Sequence, residues 1–305
     1  MPPSGGSGSR SARQFVRRAR VLAGLASVCP VAAWACPCGP GAAPVSTVSV
    51  AGERVAVRAA LTGLFEAASW DERGDARLAP AGALSARALF EAAAAWRPRP
   101  SLELSLLGGF GAAWVELPGV SARALRMGDL SGRVRWEPID TGRWRAAGFF
   151  TARAPTGDVA EGALANGLAS LGLGVWEFAP GLEVAARDDD RGTVGIALDA
   201  GLRTARGGWR PGARITATAF GAWRCDARWT LTGSVSHLLE LSSERDGRAV
   251  PDSATRRLSV GAGVAWRADD ALTASLGVAI DPWASQLGAN AIASARLTLG
   301  VTWAR

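Results

Sequence analysis

Beyond residue 50 the chain repeats one unit: about ten positions of alternating apolar and small or polar side chains, then a turn. The last such run sets Leu297, Leu299, Val301 and Trp303 against Arg296, Thr298, Gly300 and Thr302. Leu258, Val260, Ala262, Val264 and Trp266 likewise alternate with Ser259, Gly261, Gly263 and Ala265, and residues 272–280 and 194–199 repeat the pattern. A period of two places each set on opposite faces of a β-strand. Opposite the apolar face stand mostly Gly, Ala, Ser, Thr and Arg, which suits a packed or narrow watery lumen. A soluble sheet facing water carries more Lys and Glu. No convincing uncharged, predominantly apolar run of about 18 residues follows the N-terminus, as a helical membrane protein would need.

The spacing of the turns sharpens this reading. Strands are expected near residues 54–70, 86–97, 101–117, 128–137, 142–154, 168–187, 191–205, 209–225, 228–243, 255–267, 271–282 and 290–304. Connections after even-numbered strands are short: 98–100, 138–141, 188–190, 226–227 and 268–270. Those after odd-numbered strands are mostly long: 71–85, 118–127, 155–167, 244–254 and 283–289, with 206–208 the exception. Short periplasmic turns alternating with longer outer loops are the wiring of an outer-membrane barrel. The expected fold is therefore all-β, a transmembrane antiparallel up-and-down β-barrel of about 12 strands over residues 51–305.

Composition agrees. Hydrophobic residues make up 48% of the chain beside 20% charged, a mix that a barrel accommodates by hiding its apolar surface in alternate positions. The formal net charge of +7 rests on Arg, since the chain has no Lys, and Arg is spread along the strands. A nucleic-acid protein gathers its basic residues on one face among stacking aromatics, so no nucleic-acid partner is expected. Tyr is absent against 13 Trp. Trp96, Trp136, Trp144, Trp223, Trp229, Trp266 and Trp303 stand beside the short turns or the C-terminus, and Trp70, Trp114, Trp209 and Trp283 beside the outer loops. Two aromatic girdles at the membrane interfaces account for that distribution, although Trp176 fits neither. The closing strand with Trp303 near its end resembles the C-terminal signal read by the barrel assembly machinery, with Ala304-Arg305 following it.

The N-terminus reads as an export signal. Arg10, Arg13, Arg17, Arg18 and Arg20 precede an uncharged, largely apolar stretch, residues 21–35, which ends in Ala33-Trp34-Ala35 before Cys36. Positive charge, short apolar core and small residues at the cut are the secretory order, and the stretch is too short to span comfortably. Residues 1–35 are assigned to the signal peptide and 36–50, rich in Pro and Gly, to a periplasmic lead-in. Lipidation of Cys36 is disfavoured by the poor match of Ala33 and Trp34 to the usual pattern. Cys36 and Cys38 offer two thiols without a third metal ligand. A bridge from Cys225 to one of them leaves a free thiol, and incidental cysteines are the simpler reading.

Short motifs in the middle of the chain carry a resemblance. They are Met127-Gly128-Asp129-Leu130, then Arg143-Trp144-Arg145 leading to Ala154-Pro155-Thr156-Gly157, and then Asn166-Gly167-Leu168-Ala169-Ser170-Leu171-Gly172-Leu173-Gly174. They resemble the outer-membrane transporter family named after the meta-pathway of phenol degradation. Ala154 replaces the family's usual Leu, and Leu173 its usual Thr. Asp246-Gly247 and residues 251–257 resemble the family's late outer loop. The resemblance spans roughly residues 50–305 and implies a barrel proposed to pass small, often hydrophobic, compounds.

Catalytic chemistry is sparse. The single His, His237, neighbours Ser236, and sequence neighbours on a strand point to opposite faces, so no Ser–His pair is expected between them. The chain is read as a non-enzyme without cofactor. No metal set has ligand spacing; residues 188–190 make a solvated acidic turn, and Gly172-x-Gly174 precedes no helix pattern and is no phosphate loop. If the apolar faces meet lipid, Arg133, Arg135, Arg145, Arg214, Arg257 and Arg296 line the lumen, with Glu103 and Asp199 as partners. Such charges set the field of a pore, and an Arg-rich lumen favours anions or neutral solutes. The expected role is passive transport of small molecules, with outer-membrane lipid, the assembly machinery and a small solute as partners. The rivals are a plugged barrel, which would pair charges across its bore, and a lipid-modifying membrane enzyme dependent on His237.

Overall fold

The computed structural model describes residues 54–79, 83–117, 120–157, 172–188 and 191–305. The expected signal peptide and lead-in, with Cys36 and Cys38, lie outside the described residues, as does the motif segment 166–171. The wall is built from twelve strands: β1 Val55–Trp70, β2 Leu84–Arg99, β3 Leu102–Leu117, β4 Leu130–Asp140, β5 Trp144–Ala154, β6 Glu177–Asp188, β7 Gly192–Arg203, β8 Arg214–Arg224, β9 Trp229–Glu240, β10 Thr255–Arg267, β11 Leu272–Ile280 and β12 Ala291–Ala304. Each pairs antiparallel with its sequence neighbours, and β12 returns to β1 in register from Ala56↔Ala304 to Trp70↔Ala291. The sheet is thus closed and has no free edge, which in lipid is the condition for satisfying every ladder N–H and C=O.

The two faces are inverted relative to a soluble protein. On β12, Leu297, Leu299 and Val301 are exposed, while Arg296, Thr298 and Thr302 between them are buried. On β7, Val194, Ile196 and Leu198 are exposed and Thr193 and Asp199 buried. The buried apolar residues are chiefly alanines, so the interior is filled by polar and charged side chains instead of a conventional hydrophobic core. The outer belt is a surface fit for hydrocarbon.

Three boundaries differ from the sequence expectation. Within the expected loop 118–127, Val120–Met127 is strand, folding back on β3 from Leu117↔Val120 to Phe110↔Met127. It runs on into β4 with a one-residue change of register at Gly128-Asp129, the geometry of a bulge. Trp209-Arg210 does not belong to β8. It pairs with Glu244-Arg245 in a small sheet of the loop region, because Pro211 interrupts the ladder, and the connection 204–213 is longer than the short turns at the other end. β6 begins only at Glu177, not near residue 168.

Candidate functional site

The bore is held by clusters of Arg and carboxylate that join strands not adjacent in the wall. Arg135 on β4 reaches Glu183 on β6 at 2.9 Å, passing over β5. Arg214 on β8 reaches Glu177 on β6 at 3.1 Å, and Arg203 on β7 reaches Glu240 on β9 at 2.8 Å. Only the concave side of a closed sheet brings alternate strands this close, so these side chains point inward.

The largest cluster centres on Glu177. It faces Arg203 at 2.8 Å, Arg214 at 3.1 Å and Arg153 at 3.8 Å. Arg214 also donates to Asp199 and to the hydroxyl of Thr216 at 2.6 Å. A glycine makes the crossing feasible: a Cβ on Gly201 would stand 2.9 Å from Arg214 Cγ and 3.2 Å from Glu177 Cδ. Across the bore, Asp281 is wholly buried and accepts from Arg296, from the Ser259 hydroxyl and from both the hydroxyl (2.7 Å) and the amide (3.1 Å) of Ser294. Nearer the short turns, Arg145 Nε donates to Glu137 at 2.8 Å, Arg135 bridges Glu137 and Glu183, and Arg97 lies 3.5 Å from Glu103. Glu66 on β1 takes Arg87 at 2.9 Å and the hydroxyl of Ser85. Burying these charges is tolerable only because each partner set satisfies the others by charge-assisted hydrogen bonds.

All eight residues read from sequence as lumen-facing sit on this inner face. Arg133, Arg135, Arg214, Arg296, Glu103 and Asp199 are buried, and Arg145 and Arg257 are partly so. Arg257 stands 3.9 Å from Asp281. Glu66, Arg87, Glu137, Arg153, Glu177, Glu183, Arg203 and Asp281 were missed. Parity alone would have found several: Glu137 is two residues from Arg135, and Glu177 and Glu183 alternate with the exposed Phe178, Leu182 and Val184.

Trp96, Trp136, Trp144, Trp223, Trp229, Trp266 and Trp303 are all exposed near the short turns, and Trp229 pairs directly with Trp266. Trp114 and Trp283 are exposed at the other end, and Trp209 is exposed in the small loop sheet. Trp70 departs from the expected girdle. It is only 3% exposed, its Nε1 donates to the carbonyl of Ala284 at 2.9 Å, and its ring lies against Gly288. Trp70 shares the even parity of the buried Ala60, Thr62 and Leu64, so alternation along β1 puts it on the inner face, and the bulge between Glu66 and Ala68 leaves that facing unchanged. In the turn before β9, the amides of Arg228 and Trp229 hold the Asp226 carboxyl below its ordinary range.

The short motifs prove to be a tie at the outer end. The Asp129 carboxylate accepts the Gly157 amide at 2.9 Å and the Leu173 amide at 2.7 Å, while the Thr156 hydroxyl accepts the Leu130 amide at 2.8 Å. A Cβ on Gly157 or Gly172 would come within 2.8 Å of a neighbour, so both positions need glycine for close approach. His237 points outward and is exposed, whereas Ser236 is buried beside the Thr218 hydroxyl at 3.1 Å, so the two do not meet. Among the described residues no group of three or more His, Cys, Asp or Glu could hold a metal ion.

A family model described as "Putative MetA-pathway of phenol degradation" matches residues 57–297. No curated protein matches the sequence. Among solved structures, an outer membrane channel from Pseudomonas putida F1 superposes with a TM-score of 0.72 at 13% identity, covering 89% of this chain and 100% of that one. The β domain of the Bordetella autotransporter BrkA gives 0.51 at 10% identity, covering 82% and 100%. Both likenesses are of fold: this chain forms an outer-membrane-type barrel.

Proposed function

The chain belongs to the family whose model it matches, and on that premise we propose that it is a passive channel for small molecules in the bacterial outer membrane. The observation that carries this reading is the closed twelve-stranded wall with an apolar outer belt and a polar, charge-bearing bore. Residues 1–35 then act as the signal peptide, the assembly machinery inserts the barrel, and the exposed tryptophans seat it among outer-membrane lipids. The Arg set lines the path but does not act as free positive charge. Most of it is matched by carboxylates, so the field is weaker than the arginine count implies and any anion preference is modest.

The same pairing across the bore favours a second reading, a plugged structural barrel. Single-channel recording separates the two. The chain is purified from outer membranes, checked for the heat-modifiable mobility of a folded barrel, and inserted into a planar bilayer. Discrete steps with weak anion selectivity are expected. A folded barrel that never conducts overturns the channel reading and leaves the plugged one.

A further inference from the structure

We infer that Arg133 is a solute-contacting cation of the bore, a post for a small organic carboxylate. On its side of the wall Arg97, Arg135 and Arg145 are each within 3.5 Å of Glu103, Glu137 or Glu183. Arg133 is the fourth guanidinium against those three carboxylates, and no acid lies within ion-pair distance of it among the described residues. Glu183, Glu103 and Asp199 act on it only at longer range, and each is held by another arginine. Among the described residues this local group therefore carries one positive charge without a contact partner.

The side chain is held ready for a ligand. Arg133 is 5% exposed and lies midway along β4, and its Nε donates to the Thr151 hydroxyl at 3.0 Å. Its guanidinium carbon stands 4.3 Å over the ring of Phe149, which is itself seated against Gly181, where a Cβ would come within 2.2 Å of the ring. The plane of the fork is thereby fixed, and fixing it in advance lowers the entropy lost on binding. Neither terminal amino group makes a hydrogen bond to a described residue. A carboxylate is the complement: two oxygens accept both terminal N–H groups in a parallel fork and supply the missing negative charge. A neutral solute offers neither.

This inference rests on the channel reading for its biological sense, but its test does not. The purified barrel in detergent is titrated calorimetrically with sodium benzoate, benzyl alcohol and sodium chloride, as wild type, Arg133→Gln and Arg133→Lys. Benzoate binds the wild type at ionic strengths where chloride does not compete at equal concentration, and benzyl alcohol does not bind. Arg133→Gln weakens benzoate roughly tenfold or more, the scale of a lost charge-assisted pair. Arg133→Lys, which keeps the charge but loses the fork, falls between. Equal benzoate affinity in wild type and Arg133→Gln overturns the proposal, as does absence of benzoate binding to the wild type. Benzyl alcohol binding as well as benzoate, or chloride displacing benzoate one for one, also overturns it. A barrel that binds benzoate at Arg133 yet never conducts removes the channel reading alone. One that conducts but binds no benzoate removes this inference alone.

Discussion

Replacing Glu177 by Gln tests whether the charge clusters hold the barrel together. Glu177 is 2% exposed and faces three guanidinium groups, none more than 9% exposed at the side chain, so solvent screening takes away little. After the substitution Arg214 keeps Asp199 at 2.5 Å and Arg203 keeps Glu240 at 2.8 Å. Arg153 loses its one ion-pair partner among the described residues and retains the Ser131 hydroxyl at 3.4 Å. Breaking a buried pair on one side costs about 3–5 kcal/mol because a charge is left uncompensated. The Gln carbonyl still accepts one hydrogen bond, so the lower end, about 3 kcal/mol, is expected. The assay is urea unfolding in lipid vesicles, followed by tryptophan fluorescence. The cause is isolated by adding Arg153→Met: removing the orphaned charge should restore about half of the loss, a coupling that only a shared electrostatic term produces. A loss below about 1 kcal/mol, or a double variant no more stable than Glu177→Gln, refutes the reasoning.

Other substitutions probe separate parts of the wall. Leu299→Arg places a charge on the lipid face midway along β12 and should destabilise the barrel in vesicles by about 2–4 kcal/mol; an unchanged unfolding midpoint would mean that this face does not meet hydrocarbon. Gly201→Val pushes a side chain into Arg214 and Glu177 and should cost about 1–3 kcal/mol by the same assay, non-additively with Glu177→Gln; additivity would contradict the shared contact. Trp70→Phe removes the bond to Ala284 and should speed hydrogen exchange in the 281–290 loop at a global loss of about 1 kcal/mol, whereas unaltered exchange there argues against the tie. Asp129→Ala frees the Gly157 and Leu173 amides, whose exchange should rise while that of the β9–β10 ladder stays constant; if both rise together, Asp129 is no local tie.

Facing was legible in the sequence because strand parity is local: Arg296 must oppose Leu297, whatever the rest of the chain does. Wiring was legible because short turns need only their own residues, as Asp226 shows by capping the turn into β9. Features set by the neighbouring strand were not. The strand at residues 120–127 exists because β3 offers it a partner. The charge clusters depend on something still less local, the stagger of the closed sheet, which decides which inward residues share a level. Arg135 and Glu183 are 48 residues apart, with no pattern between them that pairs them. Arg133 and Arg135 look equivalent in sequence, both inward and two residues apart, yet one is clamped between two carboxylates and the other has none within ion-pair distance among the described residues. An arginine count therefore describes the bore poorly. What a passing solute meets is the remainder after pairing, and in this barrel that remainder is set by register more than by composition.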